Sequence, residues 1–98
     1  MAAISTPPAS IQKEIVPYLH FPKEDVLNTA ELRKIRQEKL NQATSMGNLD
    51  HTKVAILFED MHGLKRIETT IWATTDESIV LKKGAIIPLN RVVDVEFI

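Results

Sequence analysis

The amino-acid sequence contains no cysteine, few glycines and few aromatic residues, and each shortage excludes a class of protein. Without cysteine, the chain offers no disulfide scaffold, no thiolate nucleophile and no cysteine-based zinc or iron–sulfur site. The three glycines stand apart from one another, which excludes the glycine-rich loops that bind phosphate. No apolar run approaches the roughly 20 residues of a membrane-spanning helix, so we expect no membrane partner.

The charge is nearly balanced, with 12 Lys and Arg against 13 Asp and Glu in 98 residues. A strongly electrostatic binder of nucleic acid or membrane normally carries a basic excess, which this chain lacks. The length corresponds to one folded domain. The first residues lack the basic and apolar segments of a secretory signal, so we expect a cytoplasmic protein.

The sequence divides into an N-terminal leader, residues 1–27, and a folded domain, residues 28–98. Residues 1–10 are small, polar and proline-rich, which predicts an extended or disordered start. The rest of the leader is richer in apolar residues, but two prolines prevent a long helix there. We therefore expect a short helical turn over 11–16 and a leader that is flexible or partly docked on the domain or on a partner.

A helix is predicted from about Thr29 to Met46. Asn28 is placed to cap its first turn, and Glu31 three residues later completes an arrangement similar to a capping box. Gly47 follows at the position that a left-handed C-terminal cap normally occupies. These signals together predict a helix of about five turns that ends at Gly47.

The predicted helix is amphipathic, with one apolar stripe that we expect to face the rest of the domain. At about 100° per residue, five residues form this stripe: Leu32, Ile35, Leu40, Ala43 and Met46. Arg36 and Lys39 fall in the same arc, where their aliphatic stems can cover apolar surface while the charges reach water. The alternative is that these two basic residues line an edge that faces a ligand.

Beyond Thr52 the apolar period changes from 3.6 to 2, which predicts β-strands. In the long second strand, we expect Ile67, Ile71 and Ala73 to face inward unless a bulge changes the parity. Pro88 belongs at a strand end or on an edge strand, because it cannot donate to a ladder. Five strands are expected, over 53–59, 64–73, 79–82, 85–89 and 92–97.

Five strands in so short a segment leave exposed edges unless the sheet closes on itself. We therefore predict a mainly β, α+β fold. It is a five-stranded small antiparallel barrel or strongly bent sheet, preceded by the amphipathic helix.

The apolar spacing over residues 64–97 resembles that of small β-barrels of the Sm-like and SH3-like kind. A long strand precedes TTDESIVLKKGAIIPLNRVVDVEF, in which two short apolar strands flank a Gly turn and a short turn after a proline leads to the last strand. With its preceding helix, the layout is similar to the bacterial Rho-inhibitor (Rof-like) proteins, where Leu89–Val93 matches the turn into the last strand. The resemblance implies a barrel fold. It lacks the RNA-contact signature of true Sm proteins, so it does not imply uridine binding.

The residues that carry enzymatic or metal chemistry are scattered along the sequence. His20, His51 and His62 lie far apart, and Asp60 with His62 on one turn supplies too few ligands for a built metal site. The serines have no neighbouring histidine and no nucleophile elbow. We therefore expect no metal, no cofactor and no catalytic residues.

Trp72 is the only tryptophan, and strand parity places it on the side of Glu68 and Thr70, away from Ile71. If exposed, it is a candidate contact for a peptide or a nucleic-acid base. The alternative is that the leader or the helix covers it. The basic residues expected near it complete the candidate binding site: Arg66, Lys82, Lys83 and Arg91. Acidic residues are interspersed among them, so an ordinary mixed surface is the alternative for these charges.

The sequence therefore predicts a non-enzymatic binding or adaptor module that meets another protein through an exposed sheet edge or an apolar groove. The second interpretation is a binder of single-stranded RNA or DNA that stacks a base on Trp72 between basic residues. An enzyme ranks third. Whether two copies pair as a homodimer through their sheet edges is left open.

Overall fold

The structure is a computed structural model that describes residues 8–98. Within this range the chain forms one α-helix, α1 (Ala30–Asp50), and three 3₁₀ turns at Lys13–Tyr18, Lys82–Gly84 and Leu89–Arg91. No helix in the described range is both long enough and apolar enough to cross a membrane. The strands, in chain order, are β1 (Ala9–Ser10), β2 (Val54–Asp60), β3 (Gly63–Thr69), β4 (Ile71–Thr74), β5 (Ser78–Leu81), β6 (Ile86–Pro88) and β7 (Val92–Phe97).

The strands form two sheets, with the orders β1-β3-β2-β7 and β4-β5-β6. All neighbours are antiparallel except β1 and β3, which are parallel. Over residues 8–98 no closed barrel is found, and the strand count is seven rather than the predicted five. The predicted long strand is divided at Thr70, which places its two halves in different sheets, and the leader contributes β1. The coarser prediction of a β-rich α+β fold with one main helix is confirmed.

The buried apolar residues form one cluster that takes side chains from both sheets, from α1 and from the leader. The predictions for Ile67 and Ile71 are confirmed, since only 2% and 0% of their surfaces are exposed. Ala73 is only partly buried, because the register against β5 shifts between Ile71 and Ala73. Pro88 is the last residue of the edge strand β6, as its missing N–H group predicts.

Helix α1 is longer than predicted, and other residues cap it. The hydroxyl of Thr29, rather than Asn28, accepts a hydrogen bond from the backbone N–H of Leu32 at 3.2 Å. The helix continues through Gly47 and ends before His51, which adopts the left-handed conformation with a φ of 55°. The predicted caps at both ends are therefore wrong, although the helix itself is confirmed.

Gly47 lies inside α1, where the helix crosses β4. A Cβ atom at this position would stand 2.4 Å from the carbonyl oxygen of Ile71 and 2.9 Å from Cγ2 of Thr70. The hydroxyls of Thr44 and Thr74 lie 2.7 Å apart and join the same two elements. Glycine is therefore needed here for the close approach of the helix to the strand backbone rather than for a turn.

The buried face of α1 is rotated from the predicted stripe. Leu32 and Ile35 keep 46% and 48% of their surfaces exposed, so their predicted burial is wrong. Arg36 is buried because its guanidinium group reaches Asp25 of the leader, with both nitrogen–oxygen distances at 2.8 Å. The residues that pack inward are spaced four, three and four positions apart: Arg36, Leu40, Ala43 and Gly47.

The described part of the leader runs along the folded domain and contacts it at several points. Val16, in the first 3₁₀ turn, is 1% exposed and belongs to the core cluster. Ile11 donates its backbone N–H to the carbonyl of Arg66 at 3.0 Å, and Val26 donates to the carbonyl of Asn90 at 2.9 Å. The first seven residues, for which an extended or disordered start was predicted, lie outside the described residues.

Candidate functional site

Trp72 is the extra residue of a β-bulge in the three-stranded sheet. Ile71 pairs with Leu81 and Ala73 pairs with Val80, so two steps along β4 match one step along β5. Such a bulge redirects the side chain of the unpaired residue. Trp72 keeps 45% of its surface exposed, so neither the described part of the leader nor α1 covers it completely.

The outward face of this sheet is apolar around Trp72. Val80 of β5 pairs with Ala73 on one side and with Ile86 on the other, and Ile86 is 54% exposed. The residues of opposite parity, such as Ile79 and Ile87, are fully buried. We call this surface the Trp72 face and define it by four residues: Trp72, Ala73, Val80 and Ile86.

The outward face of the four-stranded sheet is charged instead. Glu68 and Glu96 flank Ala55 in the ladder. The guanidinium group of Arg66 binds both carboxylates, at 2.5 Å to Glu68 and 3.3 Å to Glu96. These hydrogen bonds, first that of Glu68 and then that of Glu96, raise the pKa of Arg66. Arg66 is therefore neutralised on a different sheet from Trp72.

Lys82 and Lys83 lie in the 3₁₀ turn that directly follows β5, the strand that pairs with the β4 strand of Trp72. The backbone N–H of Lys82 donates to the carbonyl of Thr70 at 2.9 Å, which fixes the turn against the start of β4. Both lysine side chains are exposed. Among residues 8–98, neither ammonium group has a carboxylate oxygen within 4.0 Å. These two charges are the predicted basic residues that accompany Trp72.

Arg91 lies in the interior, with 6% of its surface exposed. Its Nε donates to the carbonyl of Glu59 at 3.0 Å, and its Nη1 donates to the carbonyl of Glu24 at 2.7 Å. Glu59 also places a carboxylate oxygen 3.6 Å from Nη2. Arg91 therefore joins the leader to β2, and its donors point to backbone oxygens rather than to the surface.

Replacing Arg91 with methionine is expected to lower the free energy of unfolding by about 1–3 kcal/mol, because the fold loses two part-buried hydrogen bonds, to the carbonyls of Glu59 and Glu24. Urea denaturation followed by circular dichroism measures this change. Arg66→Met, which removes a more exposed arginine, is the control and is expected to lower stability by less than Arg91→Met does, because water screens the ion pairs of Arg66. Equal stabilities of the two variants would contradict the anchoring role of Arg91.

Asp60 at the end of β2 is a buried carboxylate beside the β2–β3 turn. Burial acts to raise the pKa of Asp60, but hydrogen bonds from the His62 amide at 2.9 Å and the Lys65 ammonium at 3.1 Å outweigh it. The net pKa is lowered, so the group is ionised at neutral pH. It holds the turn as an acceptor and is not poised as a general acid.

The structure brings together Trp72, Lys82 and Lys83 of the predicted site, and places Arg66 and Arg91 elsewhere. The sequence analysis missed Val80 and Ile86, although their parity within the predicted strands contained the signal. In the part of the chain that the structure describes, no three acidic or histidine side chains converge as metal ligands. Comparison of the chain with family models, with curated proteins and with solved structures found no match.

Proposed function

We propose that this protein is a non-enzymatic binding module that recognises a partner protein through the Trp72 face. The exposed apolar surface of that face carries the proposal. The neighbouring sheet pairs its outward charges, whereas this sheet presents a tryptophan and an isoleucine that are about half exposed. Exposed apolar clusters of this kind mark interaction sites, and tryptophan is the side chain most enriched at the energetic centre of interfaces.

The lysines beside the face define the chemistry of the partner. Lys82 and Lys83 carry two positive charges at one end of an apolar surface. A matching segment presents an apolar side chain to Trp72 and carboxylates to the lysines. The proposed partner is therefore a protein segment with an aromatic or aliphatic anchor next to acidic residues.

We also propose that this chain is related to the small β-barrels of the Sm-like and SH3-like kind. Three features support it: the division of the long strand at Thr70, the one core shared by two sheets, and the 3₁₀ turn Leu89–Arg91 that leads into β7. A cytoplasmic location is also proposed, and a chain without cysteine is compatible with it.

A displayed library of random peptides tests the function. We expect selection on the wild-type chain to enrich peptides with an apolar anchor and acidic neighbours. Their dissociation constants, read from the fluorescence of the single tryptophan and from calorimetry, should rise at least about tenfold for Ile86→Asp. Trp72→Ala lacks the fluorescent side chain, so calorimetry alone measures its dissociation constants, which should rise by a similar factor.

The matched control is Tyr18→Ala, because Tyr18 is an aromatic residue that is 79% exposed and lies outside the Trp72 face. This variant should bind the enriched peptides as the wild type does. The proposal fails if no peptide is enriched, or if the enriched peptides bind Trp72→Ala and Ile86→Asp with unchanged affinity.

The second candidate function is the binding of single-stranded RNA or DNA. It is favoured by an exposed tryptophan on β4 and by two exposed lysines in the turn after β5, which have no carboxylate partner among residues 8–98. Titration of mixed single-stranded RNA would then quench the fluorescence of Trp72. If Lys82 and Lys83 are the two residues that meet phosphate, the logarithm of the affinity should fall with the logarithm of salt concentration with a slope of about −1.4. RNA binding without peptide binding would replace the first proposal with this one.

A further inference from the structure

One flank of α1 carries a regular row of side chains that the fold leaves exposed or only partly buried. Its residues are spaced three and four positions apart, which is the spacing of the contact positions in a helical coiled coil. Leu49 keeps 77% of its surface exposed, and Leu32 and Ile35 keep nearly half of theirs. We call this row the α1 seam and define it by six residues: Leu32, Ile35, Lys39, Gln42, Met46 and Leu49.

The α1 seam is separate from the buried face of the helix. At about 100° per residue, the seam lies roughly 90° around the helix from the face that packs on the sheets. It borders β7, because Lys39 in the seam binds Asp94 at 2.8 Å. Thr44, which contacts Thr74 of β4, lies on the opposite flank. The seam and the Trp72 face are therefore independent surfaces.

The order of apolar and polar residues along the α1 seam is the same from either end of the helix. Its two outer residues at each end are apolar, and its two central residues, Lys39 and Gln42, are polar. If a second α1 lies antiparallel, with a two-fold axis between Leu40 and Asn41, Leu32 faces Leu49 of the second copy. In the same register Ile35 faces Met46 and Lys39 faces Gln42 of the second copy. A two-fold interface requires such self-complementarity: when one residue contacts a second residue of the other copy, that second residue in turn contacts the first residue of the other copy.

We propose that two copies of this chain associate through their α1 seams as an antiparallel homodimer. The apolar pairs at both ends of the seam supply the contact over a helix length of about 26 Å. The axis brings the two Lys39 side chains near each other, but each ammonium group is already bound to Asp94 of its own chain. This inference goes beyond the proposed function, and either one can fail without the other.

The mass in solution tests the association. Sedimentation equilibrium of the full chain should show a concentration-dependent dimer of twice 11.1 kDa. Leu49→Glu should raise the dimer dissociation constant at least about tenfold, because a carboxylate would be placed against Leu32 of the second copy. Tyr18→Glu alters a residue that is equally exposed but outside the seam, and should leave the dimer intact. A chain that stays monomeric at every concentration overturns the proposal.

The antiparallel register has its own test, because the natural chain has no cysteine. A mixture of the Leu32→Cys and Leu49→Cys variants should form a disulfide-linked dimer on mild oxidation. Each variant alone should form it at least about tenfold more slowly, because its two thiols stand at opposite ends of the seam, about 26 Å apart. Faster linkage of either variant with itself would show a different interface and overturn the proposed register.

Discussion

Replacing Gly47 with alanine is expected to lower the free energy of unfolding by about 2 kcal/mol. The new methyl group would stand 2.4 Å from the carbonyl oxygen of Ile71, which is a backbone atom and cannot rotate away. The helix must then retreat from β4, and the contact of Thr44 with Thr74 at 2.7 Å weakens with it. Overpacking of a fitted core typically costs about 1–3 kcal/mol, and a larger valine at this position should cost more than alanine.

The sign of the change distinguishes this role from the behaviour of an ordinary helical glycine. Helix propensity alone predicts that alanine stabilises a helix by about 1 kcal/mol relative to glycine. Urea denaturation of Gly47→Ala and of the exposed control Asn48→Ala compares the two effects in adjacent residues. We expect Asn48→Ala to be neutral or slightly stabilising. If Gly47→Ala were also stabilising, the close packing of α1 on β4 would be contradicted.

The helix α1 was predicted correctly, whereas Gly47 was wrongly predicted as its C-terminal cap. The comparison shows which kind of structure local sequence can predict. The helix itself was predicted from cap residues and an apolar stripe, which are local signals, and it is confirmed although both caps and part of the stripe are wrong. Gly47 was interpreted as a cap because glycine followed by asparagine commonly ends a helix. Its actual neighbours, Thr70 and Ile71, are more than 20 residues away along the chain. No local pattern records that proximity, so the sequence alone could not separate the two roles.

The same limit applies to the candidate site. The parity of the second strand correctly turned Trp72 away from the core, although the bulge that also turns Ala73 outward was not located. Arg91 looked like a surface charge because its partner carbonyl, that of Glu24, belongs to the leader, 67 positions earlier. Lys82, predicted as the end of a strand, lies with Lys83 in an exposed 3₁₀ turn. When the partner of a charged side chain is distant along the chain, it can be identified only from the tertiary structure.

Arg36, which is buried, and Asp25, which is partly buried, form the ion pair that joins the leader to α1. Arg36 is 5% exposed, and it donates to both carboxylate oxygens of Asp25 and to the carbonyl of Val92 at 3.1 Å. The Arg36 hydrogen bond is the main cause that lowers the pKa of Asp25, burial acts against it, and the Leu27 amide adds to the lowering. The carboxylate is therefore bound most tightly in its ionised form.

Replacing Asp25 with asparagine is expected to lower the free energy of unfolding by about 3 kcal/mol at neutral pH. The variant keeps the shape of the side chain but leaves the guanidinium group buried without its counter-charge. Asp50→Asn makes the same chemical change at the exposed last residue of α1 and should cost less than about 0.5 kcal/mol. The double variant Asp25→Asn with Arg36→Met should be more stable than Asp25→Asn, because it no longer buries an unpaired charge.

The stability difference between the wild type and Asp25→Asn should also depend on pH, with a sign that follows from the lowered pKa. A carboxylate whose pKa is lower in the folded state stabilises the fold fully well above its ordinary value of 3.8. That contribution disappears as the pH falls from about 5 through the lowered pKa, because the folded state must then take up a proton at Asp25. Asp60, whose pKa is also lowered, is present in both proteins and cancels. Urea denaturation of both proteins across this range should therefore show the difference shrinking, whereas a constant difference would mean that the charge of Asp25 does not hold the leader.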